Sequence, residues 1–259
     1  MKSTMNTAVL LTGVCVLATA GLYLMSGPIP QPVAYHNFAD TRTLLGIPNC
    51  ADVVSGLGFL LVGGLGLYAD RTGRLVHDNL PGYPAYSLFF AGVALTALGS
   101  AWYHLAPSNA TLVWDRLPMA VAFMALTVGL ISEFRQRDLQ RKLLYPLLVA
   151  GLGSVLYWHF GEQAGRGDLR PYLLVQFLPL LLIPLLALTE NSRFTRVGDL
   201  ALVIACYVLA KVAELLDGEI YRALGVVGGH TLKHLLAALA AAAVLRMLWR
   251  RHPVGEGAA

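Results

Sequence analysis

Two histidines four residues apart open the last long apolar stretch of the chain, in the run Gly229-His230-Thr231-Leu232-Lys233-His234. On a helix this spacing puts both imidazoles on one face, with Cβ atoms about 6 Å apart. That is metal-ligand spacing. A third histidine, His104, ends another apolar stretch in Gly99-Ser100-Ala101-Trp102-Tyr103-His104, and Asp115 follows one short loop later. Three neutral imidazoles with one open position form a catalytic zinc pattern, and zinc held this way lowers the pKa of a bound water to about 7. No Glu lies between His230 and His234, so the HExxH protease arrangement is absent. A general base must come from elsewhere, and Asp115 is the candidate. Ser100, four residues before His104, shares its helical face one turn away. Its hydroxyl could bond the water, orient Asp115 or donate to an oxyanion.

Each of these residues has a plainer explanation when taken alone. An intramembrane histidine often serves as a helix–helix hydrogen-bonding group. Asp115 could pair with Arg116 at an interface, and Ser100 could be a small packing residue beside Gly99. The pair His230 and His234 is harder to dismiss, because it repeats on one face. What favours a metal site is the agreement of all the pieces in depth, and that depends on the elements that position them.

Those elements are membrane helices. Of the 259 residues, 56% are hydrophobic and only 13% charged, about half the charged fraction of a soluble domain. Apolar runs long enough to cross a bilayer lie near 7–26, 50–69, 84–104, 112–132, 142–160, 171–189, 199–217 and 229–249. The chain is therefore expected to be an all-α polytopic membrane protein. Residues 1–26 form an N-terminal signal-anchor or signal peptide, 27–49 an outer loop, 50–250 the main membrane domain and 251–259 a cytoplasmic tail. The small-residue run Ala18-Thr19-Ala20 resembles a cleavage site, but the apolar run is long enough for a retained anchor, which is the favoured reading. The three cysteines, Cys15, Cys50 and Cys206, are scattered and read as apolar fillers. A net charge of +4 with the basic residues at segment ends gives no reason to expect nucleic acid as a partner.

Placing Lys2 inside puts twelve Lys and Arg on one face of the membrane, with only Arg42, Arg166, Arg170 and Arg222 on the other. This bias makes both termini cytoplasmic if the first segment is retained. It also sets His104, Asp115, His230 and His234 at one depth in the outer leaflet. Trp102, Tyr103, Trp114 and Trp158 are expected near that level, as an aromatic belt. Lys211, Glu214 and Asp217, at i, i+3 and i+6, read either as an internal ion pair or as residues that orient a ligand histidine. Lys233 is expected to point off the histidine face and reach outward. His36 and His77 in loops and His252 in the tail are read as solvated, and His159 as an interfacial residue.

The pattern Ser100-x-x-x-His104, Asp115 eleven residues on, and His230-x-x-x-His234 on the last helix resembles the alkaline ceramidase family. That family belongs to a superfamily that also includes the adiponectin and progestin receptors. The resemblance covers the segments from about residue 50 to 249 and implies a seven-transmembrane-helix bundle, with the first segment as an addition. It implies an intramembrane zinc amidase that hydrolyses the N-acyl bond of ceramide, releasing a sphingoid base and a fatty acid. His104, His230 and His234 would then hold Zn²⁺, Asp115 would help activate water, and Ser100 would assist at the oxyanion or the water. One departure concerns calcium. The family's eukaryotic members carry an acidic calcium-binding stretch before the first core helix, and this chain has fewer carboxylates there. Asp40, Asn49 and Asp52 are the residues that could contribute to the six or more oxygens a Ca²⁺ site wants, and a turn and helix cap explain them equally well. The substrate implied is a lipid drawn from the bilayer, ceramide or another N-acyl amide. Compact loops suggest a bacterial inner membrane. A heptahelical receptor or sensor with structural zinc shares the same ligand geometry, although short loops and the lack of a sizeable soluble domain favour an enzyme. A transporter would need repeats that the chain lacks.

Overall fold

The structure, a computed structural model, describes residues 4–255, with side chains from residue 7 onward. Lys2 and residues 256–259 of the expected tail lie outside the described residues. Ten α-helices and no strand occur among the described residues: α1 (Thr4–Met25), α2 (Cys50–Ser55), α3 (Leu57–Arg71), α4 (Ala85–Leu105), α5 (Asn109–Phe134), α6 (Leu139–Gln163), α7 (Arg170–Thr189), α8 (Asp199–Leu215), α9 (Asp217–Leu224) and α10 (Gly229–Arg250). A short 3₁₀ turn, Val33–His36, lies in the loop after α1. Among the described residues, seven spans are long and apolar enough to cross a membrane: most of α1, α2 with α3, α4, α5, α6, α7 and α10. The chain is an all-α polytopic membrane protein. The segment expected at 199–217 becomes the 17-residue α8, which carries Lys211 and Glu214 and breaks at Leu216 into the polar α9.

Helices α4 and α5 make the most extensive contact, followed by α8 and α10. In both cases a glycine allows the backbones to meet. A Cβ on Gly99 would lie 2.0 Å from the Trp114 carbonyl oxygen of α5, and one on Gly229 would lie 2.0 Å from the Ala213 carbonyl oxygen of α8. Small residues at such crossings give close van der Waals packing where lipid provides no hydrophobic drive. α5 starts at a capping box in which Ser108 and Thr111 satisfy each other's backbone N–H groups. This cap fixes where Asp115 falls, in the second turn. α1 sits at the periphery against α7, where Arg170 lies 4.2 Å from the Tyr23 ring centroid and donates to the Ser26 carbonyl at 2.9 Å.

At the end of the bundle where α4 begins and α10 finishes, a buried polar cluster closes the fold. Arg251 forks onto Glu133 of α5, and its Nε donates to the Val76 carbonyl at 2.7 Å. The segment expected as a cytoplasmic tail, 251–259, starts docked on the bundle: Arg251 is buried and the Thr195 N–H bonds to the His252 carbonyl at 2.9 Å. His252 itself is exposed, as expected.

Candidate metal centre

His104 comes from the last turn of α4, and His230 and His234 from the first two turns of α10. Their ring centroids stand 4.9, 5.0 and 4.9 Å apart, a nearly equilateral triangle. The ligand atoms lie within 4.8 Å of one another. Such a triangle needs only a modest contraction to meet a zinc ion about 2.0–2.1 Å from each nitrogen. Among the described residues this is the one group of three or more His, Cys, Asp or Glu side chains that could hold a metal ion.

The hydrogen bonds around the rings test whether an ion fits. His104 is 0% exposed, and neither ring nitrogen has a partner. A buried polar atom without a partner is costly, and such atoms are rare. A cation accepting a lone pair would satisfy one of these nitrogens. His234 is oriented from behind: its Nδ1 lies 3.1 Å from the Asp52 carbonyl oxygen and 2.8 Å from the Ser55 hydroxyl. The carbonyl can only accept, so Nδ1 carries the proton and Nε2 keeps its lone pair. This is the usual device for fixing the tautomer of a metal-binding histidine. The His230 backbone N–H donates to Asp217 Oδ1 at 2.9 Å, and its Nε2 lies 3.1 Å from Lys233 Nζ. The donor set and its burial suit a borderline cation such as zinc.

Several expectations about the surroundings need correction. Lys233 does not reach outward. Its side chain is only 16% exposed, turned in toward His230 and held by Glu214 at 2.9 Å. An inward carboxylate on the neighbouring α8 overrides the drive of the ammonium toward water. Lys211 pairs with the same carboxylate, and the Tyr35 hydroxyl donates to it at 3.0 Å. The ion pair expected in this trio is seen directly, and the trio also touches His230. Lys211 with Glu214 is an internal ion pair, Glu214 reaches His230 through Lys233, and Asp217 holds the backbone of His230. Asp217 does not continue the α8 face, because the helix breaks one residue before it; its other oxygen accepts the Ala39 N–H at 2.8 Å. Of the four residues expected in an aromatic belt, Trp102 and Trp114 are exposed on the bundle surface, whereas Tyr103 and Trp158 are buried inside it. Nor are His36 and His77 merely solvated. His36 bridges the Tyr103 hydroxyl and Asn109, and His77 pairs with Asp70 at 2.7 Å.

Asp115 and Ser100 both lie at this end of the bundle. Asp115 is buried and makes no hydrogen bond or ion pair with any described residue, Arg116 included. It lines a cavity of about 420 Å³ together with Lys233 and His234. The cavity runs down α5 from Asp115 to Leu130 and is otherwise walled mainly by apolar side chains of α7, α8 and α10. Ser100 is buried next to the Gly99–Trp114 crossing, and its hydroxyl has no partner.

The three residues singled out as oxygen donors for calcium have separate attachments. Asp40 forms an ion pair with Arg42 at 2.7 Å, and that arginine hydrogen bond holds its carboxyl below the usual value of 3.8. Asn49 donates to the His104 carbonyl at 2.8 Å. Asp52 accepts from the Thr231 hydroxyl at 2.6 Å through Oδ1, while its Oδ2 is buried without a partner.

Some contributors were not visible in sequence. Phe38, from the loop after α1, covers the group with its ring centroid 4.7 Å from His104 and 4.5 Å from His230. Ser55 is the other, and only its serine-in-an-apolar-run character hinted at it. No family model, curated protein or solved structure matches the chain.

Proposed function

We propose that the chain is an intramembrane zinc-dependent amidase acting on the N-acyl bond of ceramide-like lipids. The observation that carries this reading is the company the histidine triangle keeps. A buried carboxyl with no hydrogen bond or ion pair among the described residues, Asp115, shares the wall of one long apolar cavity with a triangle member, His234. A purely structural metal site would have no use for either the unpaired acid or the cavity.

Zinc bound by His104, His230 and His234 would supply a Lewis acid for the amide carbonyl and an acidified water. Asp115 would take the proton of the attacking water and pass it to the leaving amine, since no described residue hydrogen-bonds its oxygens. Ser100, with its free hydroxyl, would donate to the oxygen on which charge develops. The cavity would hold the acyl chain. Its α5 wall, fifteen residue steps from Asp115 to Leu130, is about 22 Å long at 1.5 Å per residue. Phe38 would keep bulk water off the ligand side. In the orientation favoured by the charge bias, this end lies in the outer leaflet of a bacterial inner membrane, with the substrate entering from the bilayer.

The test is fatty acid release from a panel of N-acyl sphingoid lipids by the detergent-purified protein, with metal content measured before and after chelation. Zinc-dependent release, lost in His234→Ala and in Asp115→Asn while Asp115→Asn still binds zinc, is the expected result. One bound zinc with no release across the panel would overturn the enzyme reading in favour of a receptor or sensor with structural zinc.

A further inference from the structure

Arg116 follows Asp115 on α5, is 6% exposed and lines the same cavity. Three aromatic rings box its guanidinium, with centroids at 4.3 Å for Trp158, 4.9 Å for Tyr172 and 5.7 Å for Tyr35. One terminal nitrogen, Nη2, donates to the Gln31 side-chain oxygen at 2.6 Å. The other, Nη1, is buried and has no partner, and no carboxylate forms an ion pair with Arg116 among the described residues.

A guanidinium cannot shed its proton, so a buried one needs an anion or must bear a large desolvation penalty. The rings answer only its two faces. Its in-plane N–H edge at Nη1 stays unanswered, and that edge is the part of arginine shaped for a carboxylate. The wider cavity has the same bias. Arg116, Lys211 and Lys233 face only two carboxyl groups, Asp115 and Glu214, and both lysines already turn to Glu214.

We propose that Arg116 is a binding site for a carboxylate carried by an acyl lipid in the cavity. The inference rests on the amidase reading for the origin of that carboxylate. Two sources share the chemistry: the fatty acid released by cleavage, or a carboxylate on the amine portion of an N-acyl amino acid substrate.

The experiment is competition against radiolabelled palmitate on chelator-treated protein in detergent, with hexadecanol, N-palmitoylglycine and its methyl ester as competitors. Palmitate is expected to bind about tenfold more tightly than hexadecanol, as one charge-assisted hydrogen bond would give. Arg116→Gln removes that preference and leaves hexadecanol affinity unchanged, while Arg116→Lys keeps part of it. A preference confined to palmitate assigns the site to the product. A preference of N-palmitoylglycine over its ester assigns it to the substrate. Equal affinity for acid and alcohol in the unaltered protein, or equal weakening of both by Arg116→Gln, overturns the proposal. The comparison in unaltered protein decides even if the glutamine variant fails to fold. Because binding is read without metal or turnover, failure of the amidase reading leaves this test intact. Amide release without any acid preference sinks the Arg116 site alone.

Discussion

Replacing Lys233 with Met should tighten zinc binding, which is the opposite of the usual result for a buried residue beside a metal site. Lys233 Nζ stands 3.1 Å from His230 Nε2 and 2.9 Å from Glu214 Oε1. The first contact occupies the lone pair of a candidate ligand, and the ammonium also repels an incoming cation. A hydrogen bond to a charged group contributes about 1.5–3 kcal/mol. Since 1.4 kcal/mol is a factor of ten in affinity, releasing His230 should strengthen zinc binding by about tenfold or more. Met matches the apolar stem of Lys in shape. Glu214 would not be stranded, because Lys211 and the Tyr35 hydroxyl remain. The assay is competition with a chromophoric chelator on metal-stripped protein, with Lys233→Arg as the charge-retaining control. Zinc affinity in Lys233→Met equal to or weaker than that of the parent protein would refute the reasoning. It would mean that Lys233 yields to the ion at no cost, or that His230 is not a ligand.

Four other changes probe different links. Ser55→Ala removes one of two partners of His234 Nδ1 but leaves the Asp52 carbonyl, so zinc affinity in the same chelator assay should fall by roughly five- to tenfold, at the low end for an outer partner of a ligand. Gly229→Ala drives a Cβ to 2.0 Å from the Ala213 carbonyl oxygen and should displace His230 and abolish zinc binding, whereas Gly64→Ala, which meets nothing within 4 Å, should leave the metal content unchanged. Glu133→Gln leaves the buried Arg251 without its counter-charge. A loss of about 3 kcal/mol should lower the thermal midpoint by roughly 10 °C, with zinc content intact in the cold. Finally, Asp40 is held below its usual 3.8 by the Arg42 hydrogen bond, so its folded-state value lies under the unfolded one. Its stabilising contribution is complete above about pH 4 and disappears as pH falls through the folded value. Hydrogen exchange around residues 37–44 should quicken in that window, and at neutral pH in Asp40→Asn.

The helices and the histidine triangle were legible because both rest on short-range information. Hydropathy locates the spans, and the i, i+4 spacing puts His230 and His234 on one face whatever packs against it. The expected shared depth of His104 only permitted its convergence with them, and the structure brings the three rings together. What stayed hidden depends on contacts between residues far apart in the chain. Lys233 turns inward because Glu214, 19 residues earlier, waits on the adjoining helix. The orientation of His234 comes from Asp52 and Ser55, 182 and 179 residues away. Trp158 resembled a belt residue because a tryptophan near a span end usually is one. It is buried in the core cluster with Tyr103, Leu112 and Tyr172, and Arg116 stacks on it. The α8 break was masked in the same way. Lys211, Glu214 and Asp217 have perfect helical spacing, yet Asp217 leaves the face to satisfy the backbone N–H groups of His230 and Ala39.

The three imidazoles are not equivalent, and the difference sets the direction of approach. Only His234 lines the cavity; His104 and His230 do not. Phe38 lies against both of those rings, and the stretch of loop that follows it is fastened by three bonds to separate parts of the bundle: the Ala39 N–H to Asp217, Arg42 to the Val226 carbonyl, and Asn49 to the His104 carbonyl. A loop tied at three points is a plug, because opening it would break all three bonds and uncover an apolar ring. The open side of the triangle therefore faces α5, where Asp115 and Arg116 stand at the head of the cavity. A lipid lying along α5 would bring its polar end to those two residues and to His234 at once. The unpaired acid and the unpaired cation, adjacent in sequence, would then meet different parts of the same molecule.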